Sequence, residues 1–206
     1  MPVFTLLMPA KEVLSGNRNW LILAAAIFLA GSLVAYFAAG AAESVPPGLE
    51  RELEGLGQLL MLFQDNPPLI TALMLLLKNF MAMVQMLFLG AFFGLAPLAT
   101  LFINGSLLGI LAASSREMGM SIPAVMALGI LPHGIFELFA FFLCGALGLK
   151  LGYHCIAAPL PGMTRLESFK YIWKEIVSVM PLVTALLVLA AFIESFVTPH
   201  LLDNLL

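Results

Sequence analysis

Residues 20–40 read WLILAAAIFLAGSLVAYFAAG, and the reading of this stretch decides the fold. None of its 21 residues is an acid, a lysine, an arginine or a histidine. As a helix rising 1.5 Å per residue it covers about 31 Å, the thickness of a bilayer's hydrocarbon core. Trp20 and Tyr36 fall near its two ends, where amphipathic rings settle at a membrane–water boundary. Lys11 and Arg18 precede the run and Ala39-Gly40-Ala41-Ala42 closes it, which is the order of a secretory leader. The run is nevertheless longer than the about 7–15 residues of a leader's apolar region, so an uncleaved first membrane span is expected.

The rest of the chain has the same character. Of 206 residues 62% are hydrophobic and 10% are charged, with a mean hydropathy of +1.05. A soluble domain carries about 25% charged residues because it must wet its surface, so this chain needs lipid around it. A net charge of -3 with no basic run excludes a nucleic-acid partner. The remaining apolar blocks place further spans at about 79–95, 97–114, 123–152 and 176–197. Residues 69–77 read as a lead-in helix at the outer face, Pro97 as a tight turn, and Pro132 as a break in the middle of the fourth block. A polar helix at about 164–175 leads into the fifth span. The expected fold is all-α: a single integral membrane domain over 1–206, built as a transmembrane helix bundle of about five spans plus an extracellular amphipathic helix.

That extra helix is read from residues 43–66, where Leu49, Leu53, Leu56, Leu60 and Phe63 recur every three or four positions opposite Glu50, Arg51, Glu52 and Glu54. It is expected on the membrane surface, although the same seam suits pairing with a second copy, a homodimer. Residues 3–18 read as a short interfacial helix whose exit is marked by Asn17, Arg18 and Asn19. Orientation follows from basic residues. With the N-terminus in the cytoplasm and the C-terminus outside, Lys11, Arg18, Lys150, Arg165, Lys170 and Lys174 are cytoplasmic, while Arg51, Lys78 and Arg116 are not. Six against three satisfies the positive-inside rule for a multi-pass protein of the cell membrane. Cys144 reads as a buried structural thiol and Cys155 lies just past it, so neither belongs to a disulfide framework.

Ionisable groups in hydrocarbon cost about 2.5–3.5 kcal/mol each and need a partner or a wet cavity. His133 and Glu137 stand four apart on one helix face, and Glu194 lies in the outer part of the fifth span, so the three are expected to meet. Asn79, Gln85 and Asn104 add polar groups from the second and third spans. These six form the candidate intramembrane polar cluster. One reading makes them interhelical hydrogen-bonding groups that fix packing. The other makes them ligands of a metal or the lining of a proton or solute path, with His133, Glu137 and Glu194 as the metal candidates. No cofactor is expected, a bound metal being left open. Gly90/Gly94, Gly105/Gly109 and Gly148/Gly152 let backbones approach closely and point to a compact bundle.

The run Leu131-Pro132-His133-Gly134-Ile135-Phe136-Glu137-Leu138 followed by Gly145-Ala146-Leu147-Gly148-Leu149-Lys150-Leu151-Gly152, and the ending Ala190-Ala191-Phe192-Ile193-Glu194-Ser195-Phe196-Val197-Thr198-Pro199, resemble the stage II sporulation protein M family. Asn79 and Phe102-Ile103-Asn104-Gly105 are similar too. Ser195 stands where the family has glycine or alanine, and Phe139 where it commonly has proline. The resemblance implies a five-span membrane protein. In spore formers the namesake joins a membrane complex with peptidoglycan-degrading partners during engulfment, and members also occur where no spores form. The chain offers no nucleophile–base constellation, no phosphate loop and almost no soluble mass. The first functional expectation is therefore a non-catalytic anchor or scaffold for a cell-envelope complex, with lipid and envelope membrane proteins as partners. The alternative is a small transporter or channel using the His/Glu cluster, and a third is an intramembrane metal-dependent hydrolase.

Overall fold

A computed structural model describes residues 7–39 and 66–202. The expected amphipathic helix at 43–66 therefore lies outside the described residues, apart from Asn66. Every regular element among the described residues is helical: α1 Ala10–Gly16, α2 Arg18–Ala39, α3 Pro68–Gly90, α4 Leu95–Glu117, α5 Ile122–Ala124 running through a π-helical segment Val125–Ile130 into α6 Leu131–Ile156, α7 Arg165–Phe196 and α8 Thr198–Leu202. Five of these paths are long and apolar enough to cross a membrane, namely α2, α3, α4, the continuous 122–156 helix and α7. Large apolar side chains such as Leu29, Leu33, Phe37, Leu73, Leu77 and Phe92 cover the outside. Water would reject that surface, and lipid solvates it.

Several boundaries differ from the sequence reading. Lys78-Asn79 does not separate a lead-in helix from a span, because α3 runs unbroken from Pro68 to Gly90. The turn after it lies at residues 91–94, with Gly94 in the left-handed region at φ 69°, and not at Pro97. Pro97 is the third residue of α4, where a missing N–H costs nothing because first-turn amides have no intrahelical acceptor. Pro132 does not break the fourth span either. The wider π turn at 125–130 sits directly before it, and this register relieves the clash between a proline ring and the carbonyl four residues back. The polar helix at 164–175 and the fifth span are one 32-residue helix. Its start is fixed by a capping box: the Thr164 hydroxyl accepts from the Glu167 amide, and the Glu167 carboxylate accepts from the Thr164 amide.

The glycine pairs sit where helices touch. A methyl group on Gly90 would lie 2.7 Å from the carbonyl oxygen of Gly148, and one on Gly152 would strike the Gly94 backbone. Gly105 and Gly109 meet the Phe28 and Ser32 backbones of α2 in the same way, and Gly31 meets Phe102. Ser106 adds a hydrogen bond from its hydroxyl to the Gly31 carbonyl at 3.3 Å. Thus α2 packs on α4 and α3 packs on α6 at backbone contact, as small residues permit in a bundle that gains nothing from excluding water. α7 packs mainly on α6 and also on α3. The core is centred on α6, whose Leu143, Cys144, Ala146, Leu147 and Leu151 are fully buried.

Candidate functional site

Between α3 and α4, which are held together at the 91–94 turn, the bundle holds a cavity of about 870 Å³. His133, Glu137, Glu194, Asn79, Gln85 and Asn104 all line it, and Lys78 joins them. Along α4 the lining runs from Ala96 to Ser114, about 27 Å of helix and close to the hydrocarbon thickness. The charged groups gather toward the end where α7 finishes. Toward the turn at the other end the lining includes the apolar Met86, Leu89 and Ala96 together with Gln85.

One ligand atom from each of His133, Glu137 and Glu194 lies within 4.8 Å of the other two. The three side chains come from α6 and α7, with His133 close behind the π segment that precedes α6. No hydrogen bond joins them directly among the described residues. His133 Nδ1 instead meets Thr198 Oγ1 at 3.2 Å, and that hydroxyl gives its proton to the Ile193 carbonyl at 3.3 Å. When that hydroxyl donates to the carbonyl, the ring meets it with Nδ1–H and keeps its lone pair on Nε2. Lys78 stands near enough for its charge to act on both Glu137 and Glu194. Asn104 donates from Nδ2 to the Thr100 carbonyl at 2.8 Å, which leaves its carbonyl oxygen for the cavity.

A second polar centre lies at the opposite end, and sequence reasoning does not single it out. Lys150, expected among the cytoplasmic charges, is buried in α6 and donates to Glu175 Oε2 of α7 at 2.6 Å. The other carboxylate oxygen, Oε1, accepts from Asn17 Nδ2 at 2.9 Å, while the same amide donates to the Val13 carbonyl. The Lys150 ammonium also lies 5.7 Å from the centre of the Tyr171 ring. Asn17 stands at the exit of α1, as expected, but it is fully buried and ties α1 to the bundle. The Met8 amide donates to Ser178 Oγ at 2.8 Å and strengthens that docking. A signal for this centre is present in the sequence: Lys150 falls between Leu149 and Leu151 inside a glycine-spaced apolar run, and Glu175 directly precedes Ile176 and Val177.

The family model for stage II sporulation protein M matches residues 24–199. An uncharacterized protein of Methanocaldococcus jannaschii is 30% identical over 136 residues, covering 64% of this chain and 73% of that one. No solved structure matches the chain. The matched span takes in all five long apolar helices nearly whole, together with every cavity-lining polar residue. This multi-pass membrane protein belongs to the stage II sporulation protein M family.

Proposed function

We propose that the protein passes a small charged or polar solute across the membrane through the cavity between α3 and α4. The observation that carries this reading is convergence: seven charged, amide or imidazole side chains from four helices line one 870 Å³ space. Groups that serve only to glue helices need a hydrogen-bonding partner at contact distance. Here Lys78, Gln85 and Asn104 are exposed to open space. Polar groups at membrane depth that line a cavity instead of pairing mark solute and ion paths. The lining extends over most of the bilayer thickness, so a change of packing at its apolar end would open a route. Flux into proteoliposomes of the purified protein tests the reading. Uptake above empty liposomes that falls with Glu137→Gln supports it, and no uptake of any cation or small polar solute in a panel counts against it.

The N-terminus is assigned to the cytoplasm. Lys78 lines the cavity and Lys150 is held in a buried ion pair, so both drop out of the count, which leaves Lys11, Arg18, Arg165, Lys170 and Lys174 on one side and Arg51 and Arg116 on the other. Five against two keeps the positive-inside bias.

A second reading, an anchor or scaffold for a cell-envelope complex, is supported by family membership. It makes no use of the cavity. Cavity variants that lose flux yet retain every membrane partner in a gentle detergent purification favour transport, and variants that lose a partner favour the scaffold.

A further inference from the structure

We infer that His133, Glu137 and Glu194 form a three-ligand site for a divalent transition-metal cation. The inference rests on the transport reading for the ion's role as cargo, and on geometry alone for the site itself. The donor set is one imidazole and two carboxylates, which suits Zn²⁺, Mn²⁺, Fe²⁺ or Co²⁺ and offers nothing soft enough to select Cu⁺. Three protein ligands leave further coordination positions for water or solute, and the cavity supplies the room for them.

The distances are nearly those of a bound state. Two ligands on an ion at about 2.1 Å are at most about 4.2 Å apart. The present spread of up to 4.8 Å closes by a small side-chain rotation. Thr198 adds the second feature of a built site. Its hydroxyl lies 3.2 Å from His133 Nδ1, placed to accept from Nδ1–H while Nε2 offers its lone pair, the arrangement that metal-bound histidines obtain from an outer partner.

Lys78 completes the electrostatics. Before an ion arrives, its ammonium offsets part of the two carboxylates' charge. An arriving divalent cation takes over that task and repels the ammonium. Lys78 thus tunes affinity downward, which a carrier requires if it is to release its cargo. Lys78→Met removes the competing charge and tightens binding by about tenfold.

The test is a titration of the purified full-length protein, in nanodiscs, with Co²⁺ followed by visible absorption and with Zn²⁺ followed by calorimetry. The expected result is one ion per chain, weakened about a hundredfold by His133→Ala, Glu137→Gln or Glu194→Gln, and tightened by Lys78→Met. A gain of signal covers variants that fold poorly: His133→Cys should give Co²⁺ a thiolate charge-transfer band in the near ultraviolet that the parent protein lacks. No binding by the parent, or binding that survives all three ligand variants, overturns the site. Flux of another solute through a protein that binds no metal also overturns it, and leaves the transport reading standing. Stoichiometric Co²⁺ binding at these three residues without Co²⁺ uptake sustains the site and overturns the ion's role as cargo.

Discussion

Lys150 Nζ lies 2.6 Å from Glu175 Oε2, with both side chains buried where α6 meets α7. Taking two charges out of water costs several kcal/mol apiece, and the pair recovers this only while both members are present. Glu175→Ala or Lys150→Ala alone is therefore expected to lower stability by about 3–5 kcal/mol, because each strands an uncompensated charge. The double variant Lys150→Met with Glu175→Leu should be close to the parent protein. Thermal unfolding in detergent checks this, and two single losses that simply add in the double variant would contradict it.

Helix contacts through glycine make a second prediction. Gly109→Leu forces a side chain into the Ser32 backbone and should destabilise the α2–α4 contact by about 1–3 kcal/mol. Gly16 has nothing within 4 Å of a would-be methyl group. Gly16→Ala, on helix propensity, should leave stability unchanged or raise it by up to about 1 kcal/mol. The same unfolding measurement, run on both, separates close approach from any general intolerance of substitution.

Orientation is open to labelling in intact cells. Arg116→Cys places a thiol at the exposed end of α4, where an impermeant maleimide added outside should reach it. Lys170→Cys places one at an exposed position near the start of α7, and it should stay unlabelled until the cells are opened. The reverse pattern would turn the whole molecule over and put the N-terminus outside.

Thr198 is a positioning residue for His133 and not a ligand. Thr198→Val removes the acceptor for Nδ1–H and should weaken Co²⁺ binding by about 10–100-fold. Thr198→Ser keeps the hydroxyl and should restore it. Equal loss in both variants would assign Thr198 a packing role only.

The five spans are legible in the sequence because twenty apolar residues in succession have few alternative readings. The meeting of His133, Glu137 and Glu194 is legible because charges are rare in such a chain and two of them share a helix face. The span boundaries are less so. Proline suggests a break at 97 and 132, yet one falls in a first turn and the other follows a π segment, and neither context is visible from the proline itself. Lys150 misleads for a related reason. Near the end of a span a lysine can reach out to the interface, and only its partner, 25 positions away in sequence, shows that it turns inward.

Glu175 and Glu194 lie on the same helix, 19 residues apart, which is about 28 Å along its axis. That interval nearly equals the depth of the hydrocarbon slab. The two acidic centres therefore act as depth marks near opposite headgroup layers. Sliding the molecule by one turn toward either side would draw one of them about 5 Å deeper into the acyl chains. The protein is consequently held at one immersion depth, and a markedly thicker bilayer must thin locally around it or strand one of its charges.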